Sequence, residues 1–219
     1  MLPMRSPTPS FRERQRQFRE DAILQATHEL LAQKGFVAMT MDDVAQRVGI
    51  AKGSLYQHFK SKEELLAAVL ISFMDRISTF IENLPSEQSA IDRLKQTYRR
   101  AIELRFQQGF PDLFNAKLSV KDVLIKNATY VTSSDRMWEA LERLFDDAKR
   151  EGSITTEIPT EVLVYSAIAR VRDSELDSLI DTGRISREVL SEFLIQMFFE
   201  GITAQQSARR KSRSAKRKD

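Results

Sequence analysis

The segment from residue 40 to residue 62 constrains the fold of this chain most, because it holds the start and stop signals of two short helices. Thr40 and Asp43 stand three residues apart, so each side chain can accept a hydrogen bond from the other's backbone N–H, and a helix is predicted to begin at Thr40. Gly49 supplies the left-handed residue that ends this helix after about nine residues. Its predicted inward face consists of apolar residues at helical spacing, namely Met41, Val44, Ala45 and Val48.

A second short helix is predicted directly after this turn. Ile50 can anchor the turn in the core, and Leu55 and Phe59, four residues apart, point inward. The opposite face is small and polar and contains Lys52, Gly53, Ser54, Gln57 and His58. Lysine, serine and glutamine can hydrogen-bond to base edges in the major groove, and a glycine lets the backbone approach DNA closely. The pattern therefore predicts a helix-turn-helix whose second helix reads DNA.

A third helix is predicted to begin at Ser61, because Glu64 follows three residues later in a further capping-box pattern. Lys62 places a cation beside the free N–H groups of this helix start, where a phosphate can bind. Apolar residues then recur every three or four positions as far as Leu84, and Pro85 ends the helix. One long helix is therefore expected to connect the DNA-binding segment to the rest of the chain.

A helix with Ala26, Leu30, Leu31, Gly35 and Phe36 precedes the helix-turn-helix. With the threonine-capped helix, the glycine turn and the short helix ending in Tyr-Gln-His-Phe, it resembles the tetracycline-repressor (TetR) family of bacterial transcription regulators, from about Ile23 to Leu70. The resemblance implies DNA contacts at or near the matching positions, which are Thr40, Lys52, Gly53, Ser54, Tyr56, Gln57, His58 and Lys62. It also implies an all-α fold of about nine helices, with a three-helix DNA-binding domain followed by a helical ligand-binding and dimerisation domain.

Composition excludes several classes of protein. Cysteine is absent, so disulfides and thiolate metal sites are excluded, and the two histidines, His28 and His58, are too few for a metal cluster. The chain has no Gly-x-Gly-x-x-Gly, Gly-x-Ser-x-Gly or Walker-loop pattern. We therefore expect no catalytic residue, no metal and no cofactor, and not an enzyme.

No segment has the properties of a membrane anchor. The longest apolar run, from Leu65 to Ile71, is far shorter than the roughly 18 residues that a membrane span requires. The proline-rich start, residues 1–10, lacks the apolar core of a signal peptide. A cytoplasmic protein without membrane contact is therefore expected.

Charge is distributed unevenly along the chain. Residues 1–62 carry a net charge of +4, residues 63–208 carry −7, and residues 209–219 carry +6. Basic ends around an acidic middle are typical of a chain whose ends meet phosphate. The alternative interpretation of the C-terminal run is a solvated tail without a partner.

These observations predict four segments. They are a basic flexible arm at residues 1–17, a helix-turn-helix domain at 18–64, a helical effector-binding and dimerisation domain at 65–208, and a basic disordered tail at 209–219. Four arginines at residues 12, 14, 16 and 19 are compatible either with such an arm, which could contact phosphates or the minor groove, or with an extension of the first helix.

Helical patterns continue through the second domain. Further helices are predicted at about residues 89–107, 111–118, 133–152, 159–171 and 186–208. Ser133 and Ser134 are expected to cap the third of these, whereas residues 120–132 permit either a helix or a looser segment. The helix after Pro159 has little polar face, so we expect it to be buried on more than one side.

The last helix has an apolar stripe wider than one neighbouring helix requires. By the resemblance, the last two helices of each protomer form a four-helix interface in a homodimer. The residues assigned to this interface are Val189, Phe193, Leu194, Met197 and Phe198. The alternative is an internal core stripe.

Aromatic residues of the second domain are candidate walls of an effector pocket, namely Phe106, Phe110, Trp138, Phe145 and Tyr165. Arg99, Arg105 or Arg170 could meet an anionic group. Because such walls are apolar, the pattern favours an apolar or amphipathic small molecule. Aromatic residues at helical spacing are equally compatible with a plain core.

Three functions were compared on these features. The favoured one is a ligand-responsive repressor that binds a palindromic operator in double-stranded DNA as a homodimer. The second, an enzyme on a helical scaffold, has no supporting motif. The third is a regulator or architectural DNA-binding protein that has no small-molecule ligand and is controlled by a protein partner, and the basic run at residues 209–218 favours it.

Overall fold

The computed structural model describes residues 10–108, 118–173 and 176–202, and over these residues the chain forms ten helices and no strand. In chain order the helices are α1 (Phe11–Ala38), α2 (Met41–Val48), α3 (Lys52–His58), α4 (Lys62–Glu82), α5 (Ala90–Gln108), α6 (Leu118–Lys126), α7 (Ala128–Arg150), α8 (Thr160–Arg172), α9 (Asp177–Asp181) and α10 (Arg187–Ile202). The all-α prediction is confirmed. Helix α9 was not predicted, because five residues are too few to show a helical period.

The first three helices and the start of α4 share one core. Ile23 of α1, Val44 of α2, Leu55 of α3 and Leu65 of α4 are completely buried. Helical spacing in the sequence placed Val44, Leu55 and Leu65 inward. The first three helices and the start of α4 therefore form one N-terminal unit, which we call the head and which contains the predicted helix-turn-helix.

Helix α1 begins earlier than expected. Ser10 caps it by accepting a hydrogen bond from the N–H of Glu13, and the Glu13 side chain accepts one from the N–H of Ser10. The flexible arm predicted for residues 1–17 is therefore wrong from Phe11 onward, because this second Ser-x-x-Glu box starts a helix there. Residues 1–9 of the expected arm lie outside the described residues.

Helix α4 crosses the predicted boundary between the two domains without a break. Its 21 residues run from the head into the second domain, where α7 packs along it. Arg136 of α7 donates a hydrogen bond of 2.8 Å to Glu82 at the end of α4. Helices α5, α8 and α10 complete the second domain, with α5 in contact with α7, α8 and α10.

Helix α7 also begins before its predicted start. Asn127 caps it by accepting a hydrogen bond of 3.0 Å from the N–H of Tyr130. Ser133 is buried inside the helix, so the predicted cap at Ser133 and Ser134 is wrong. Asparagine and serine cap helices about equally well, so local preference did not distinguish the two positions.

The remaining sequence-based expectations have mixed outcomes. The segment at residues 120–132 is helical except at Asn127. The helix predicted at 111–118 lies outside the described residues apart from its last residue, and the basic tail at 209–219 lies wholly outside them. In the described ranges, no helix is both long enough and apolar enough to cross a lipid bilayer.

Candidate nucleic-acid interface

The start of α2 is held by the predicted capping box. The backbone N–H of Thr40 donates to the carboxylate of Asp43 at 2.7 Å, and the N–H of Asp43 donates to the Thr40 hydroxyl at 3.2 Å. Lys34 of α1 forms an ion pair with the same carboxylate at 2.5 Å. Hydrogen bonds from Lys34 and from Thr40 lower the pKa of Asp43 to about 2. Thr40 and Asp43 therefore fix α2 to α1 as well as starting the helix.

The turn between α2 and α3 depends on one glycine. Gly49 has a φ of 76°, and the N–H groups of Gly49 and Ile50 both donate to the carbonyl of Ala45 at 3.0 Å. A side chain at residue 49 would be strained in this left-handed conformation. The turn directs Leu55 and Phe59 of α3 into the core, as predicted.

The opposite face of α3 is open to solvent. Lys52, Gly53, Tyr56 and Gln57 are exposed, and Ser54 is half-buried. The ammonium of Lys52 forms an ion pair with Asp42 of α2 at 2.7 Å, and this contact raises the pKa of Lys52. Five of the predicted DNA-contacting residues therefore share one helix with its polar face outward.

His58 is not on this open face. Its side chain is largely buried, and its Nδ1 lies 3.2 Å from Glu20 of α1. Burial of Glu20 opposes ionisation, but hydrogen bonds from Arg16 and His58 outweigh it and lower the pKa of Glu20. The expected exposure of His58 is wrong, because its ring turns toward Glu20 of α1 and not toward solvent.

Lys62 is held by α1. Its ammonium donates to the carbonyl of Val37 at 3.1 Å and lies 4.3 Å from the centre of the Phe36 ring. Burial lowers the pKa of Lys62. The ammonium thus joins the start of α4 to the end of α1, and its predicted phosphate contact stays a prediction.

The start of α4 follows the predicted pattern in part. Ser61 accepts a hydrogen bond of 3.1 Å from the N–H of Glu64. Glu64 accepts from the N–H of Lys60 at 2.7 Å. The Ser61 cap is therefore present, but the Glu64 carboxylate accepts from the N–H of Lys60 and not from that of Ser61.

A cavity of about 60 Å³ lies in the second domain between α4, α5, α7, α8 and α10. Its wall is almost entirely apolar and includes Phe73, Ile77, Tyr98, Met137, Phe145 and Phe199. The cavity is much smaller than the roughly 300–1,000 Å³ of typical ligand sites. Any drug-sized ligand must therefore enlarge it.

The predicted pocket residues are not brought together. Phe145 is fully buried in the cavity wall. Trp138 instead contacts Tyr165 at 4.6 Å between ring centres, and Tyr165 is 65% exposed. Phe106 lies beside Arg187 in a separate surface cleft, and Phe110 lies outside the described residues. Phe106, Trp138 and Tyr165 therefore do not share one cavity with Phe145, because helical spacing does not show which neighbour a face meets, and their role in ligand binding stays a prediction.

The candidate arginines also have other positions. Arg99 pairs with Glu192 of α10 at 3.0 Å, and Arg170 pairs with Asp173 at 3.4 Å. Arg105 is buried, with its guanidinium 4.9 Å from the ring centre of Phe106. None of these three lines the cavity. Among the residues that the structure describes, no group of three acidic, histidine or cysteine side chains could hold a metal ion.

Helices α8 and α10 expose an apolar surface, which we call the α8/α10 face. It comprises Val162 and Tyr165 of α8 and Val189, Phe193 and Met197 of α10, each between 45% and 67% exposed. Leu194 is buried within the chain, so its placement in the interface is wrong. Phe198 is half-buried and stacks on Tyr98, and its interface role stays a prediction. Residues four apart in a helix lie on one side, and Phe193 and Met197 show which side of α10 is free.

Of the residues that line the cavity, sequence reasoning identified only Phe145, and the most notable one that it missed is Tyr98. Tyr98 of α5 is 5% exposed and lines the cavity, and its hydroxyl has no hydrogen-bond partner among the described residues. The sequence signal was weak, because a tyrosine in an amphipathic helix is usually placed with its hydroxyl near water.

Comparison with protein families supports this description. Residues 23–69 match the model of the bacterial regulatory proteins, tetR family. The repressor KstR2 of Mycolicibacterium smegmatis is 35% identical over 86 residues, which are 39% of this chain and 42% of that protein. The uncharacterised regulator YvaF of Bacillus subtilis is 29% identical over 194 residues, covering 85% of this chain and 96% of that protein. The match to KstR2 thus spans about two fifths of that relative's length.

Solved structures share the fold over most of the chain. The regulator FadR of Bacillus subtilis, in complex with stearoyl-CoA, is 16% identical with a TM-score of 0.65 over 83% of this chain and 98% of that chain. AibR in complex with isovaleryl coenzyme A and operator DNA is 21% identical with a TM-score of 0.54 over 83% of this chain and 98% of that chain. At these identities the similarity establishes the fold alone.

Proposed function

We propose that this chain, which belongs to the tetR family of bacterial regulatory proteins, is a ligand-responsive repressor that binds a palindromic operator as a homodimer. The observation that carries the proposal is the open polar face of α3, where Lys52, Gly53, Tyr56 and Gln57 stand outward on a rigid helix-turn-helix. Repression is favoured because KstR2, with which the head shares 35% identity, is a repressor.

Contacts within the helix-turn-helix hold α3 in position in the absence of DNA. The Thr40–Asp43 box and the Gly49 turn hold α2, and the buried Leu55 and Phe59 hold α3. A rigid reading helix loses little conformational entropy on binding. Lys52 and Gln57 are then candidate base contacts, whereas Tyr56 and the backbone near Gly53 are candidate phosphate contacts.

The exposed apolar side chains of α8 and α10 support the proposed homodimer. Val162, Tyr165, Val189, Phe193 and Met197 are each at least 45% exposed, and exposed large apolar side chains of this kind can mark an interface. A second copy related by a twofold axis would cover this patch with the same residues. Two copies of α3 would then enter successive major grooves, about 34–36 Å apart, and read a palindrome.

The cavity and α4 offer a route from an effector to the DNA-binding head. Phe73 and Ile77 of α4 line the cavity, while Lys62 at the start of the same helix is bonded to α1. A ligand that enlarges the cavity by displacing α4 would pass this movement on to the N-terminal helices. A coupling of about 1–3 kcal/mol would weaken operator binding roughly 5- to 150-fold.

An apolar or amphipathic effector is favoured by the cavity wall. FadR and AibR, which share the fold, were solved with stearoyl-CoA and isovaleryl coenzyme A, two molecules that carry an acyl chain. An acyl chain matches an apolar wall of this kind. We propose an effector of the same general polarity for this chain.

The proposal is tested by fluorescence anisotropy with duplexes that tile the DNA upstream of the gene, at about 150 mM salt with excess nonspecific competitor. Saturable binding to one palindromic fragment is the expected result. Lys52→Ala should relax the preference at one operator position by about 1–3 kcal/mol. Lys126→Ala, an equal loss of charge on exposed α6, is the matched control and should change nothing. Equal affinity for every fragment would refute operator reading.

A second function, DNA binding without a small-molecule ligand, is favoured by the basic run at residues 209–218. A chain ending at residue 208 would test it. A uniform loss of affinity with a shallower salt dependence would show that the run binds phosphate without regard to sequence. Unchanged affinity and salt dependence would remove the run from DNA binding and this support for the second function.

A further inference from the structure

The hydroxyl of Tyr98 is buried without a hydrogen-bond partner among the described residues. The Tyr98 ring stacks on Phe198 with 5.4 Å between ring centres and meets the edge of Phe199 at 5.9 Å. Burial raises the pKa of Tyr98, so the hydroxyl stays protonated and can donate. Tyr98 therefore supplies a hydrogen-bond donor that no described residue uses.

An unused hydroxyl of this kind weakens the ligand-free fold. A buried polar group that loses its contact with water and gains no protein partner is destabilising. Phenylalanine would make the same ring contacts without that cost. Because buried polar groups are almost always paired, an unpaired one calls for a specific explanation.

The surroundings of Tyr98 limit what could accept its hydrogen bond. Thr97, which also lines the cavity, already donates to the carbonyl of Arg93 at 2.8 Å. Arg172 lies at the cavity wall but has an interaction of its own. The other cavity residues are apolar. Arg170 and Asp173 also act on Tyr98 electrostatically, and they pair with each other at 3.4 Å. A carboxylate ligand would have to displace the partner of Arg170 or of Arg172, so a neutral oxygen acceptor fits better.

We infer that the cavity binds an apolar molecule with one neutral carbonyl oxygen, and that the Tyr98 hydroxyl donates its hydrogen bond to this oxygen. This inference rests on the proposed effector role of the cavity and names the chemical class of the effector. The 60 Å³ of open space has room for only a few water-sized groups, so the rings around Tyr98 must move apart as the ligand enters. The carbonyl then replaces the missing partner.

The inference is tested with two probes of almost identical shape, acetophenone and α-methylstyrene, in which a carbonyl replaces a methylene group. Dissociation constants are measured by ligand-observed NMR for the full chain and for Tyr98→Phe. We expect acetophenone to bind the unaltered chain about tenfold more tightly than α-methylstyrene, as one hydrogen bond implies. In Tyr98→Phe the preference should reverse in favour of α-methylstyrene, because the carbonyl of acetophenone would then be buried without a donor.

Tyr130→Phe is the matched control, because Tyr130 is a half-buried tyrosine of α7 outside the cavity wall. It should leave the tenfold preference unchanged. The urea midpoint of Tyr98→Phe should equal or exceed that of the unaltered chain, whereas a structural hydrogen bond would make it fall. A preference that survives in Tyr98→Phe, equal affinity of the two probes for the unaltered chain, or no binding of either probe would overturn the inference.

The operator titration separates this inference from the proposed function. If operator binding is intact and the carbonyl preference is absent, the effector class is wrong and the DNA-binding role stands. If the carbonyl preference is present and no operator is found, the cavity is a ligand site and the regulatory role fails.

Discussion

Replacing Phe193 by alanine tests whether the α8/α10 face joins two copies of the chain. Phe193 is 51% exposed in the single chain. A phenylalanine buries about 150–250 Å² in a core, so close to 100 Å² remains for a partner to cover. At about 25 cal/mol per Å², this area is worth about 2.5 kcal/mol. Twofold symmetry places this residue in the interface twice, so the dimer should lose up to about 5 kcal/mol, which corresponds to between three and four orders of magnitude in dissociation constant.

Sedimentation velocity over a dilution series measures this constant directly. Phe18→Ala removes the same side chain from α1, where Phe18 is 78% exposed and outside the α8/α10 face, so it should leave the dimer unchanged. Phe193→Asp should go further and give monomers that bind operator poorly, since a carboxylate would be buried without a partner. A Phe193→Ala chain with an undiminished dimer constant would refute the assignment of this face.

Three smaller perturbations concern the DNA-binding head. Tyr56→Ala should weaken operator binding about tenfold without changing the urea midpoint, and an unchanged isotherm would remove Tyr56 from the interface. Because the pKa of Asp43 is lowered from 3.8 to about 2, its stabilising contribution is complete above pH 3.8 and is lost as the pH falls through 2. Asp43→Asn removes this titrating carboxyl, so between pH 3.8 and 2 its urea midpoint should fall less steeply than that of the unaltered chain. An equally steep fall in both chains would contradict this. Lys62→Met should lower stability by about 1–2 kcal/mol in urea titrations, since the bond to Val37 and the ring contact are lost, and no change would show that the ammonium carries no stability.

Signals that act within a few residues were readable from the sequence. Thr40 with Asp43 and the glycine at 49 each act on their own helix end, so the helix-turn-helix was predicted nearly to the residue. The buried positions Leu55 and Phe59 followed from helical spacing alone. These features need no knowledge of the rest of the fold.

Features that depend on distant neighbours were not readable. His58 turns toward Glu20, which lies 38 residues earlier, and Lys62 is bonded to the end of α1. Tyr165 had the spacing of a pocket wall, yet the position of α8 at the outside of the domain exposes it. The surroundings of such residues depend on how the helices pack against one another. A single sequence shows only whether a helix face is apolar or polar.

Lys52 of α3 already has an anionic partner within the protein, because its ammonium forms an ion pair with Asp42. To contact a base edge or a phosphate, the ammonium must leave the Asp42 carboxylate for another acceptor, so the ion pair offsets part of the attraction to DNA. Both side chains are exposed, so this offset is small. Nonspecific DNA, which offers mainly charge, competes poorly with Asp42, whereas a site that also offers matching base edges competes well. An acidic residue behind the recognition helix can in this way sharpen discrimination between sequences without touching DNA.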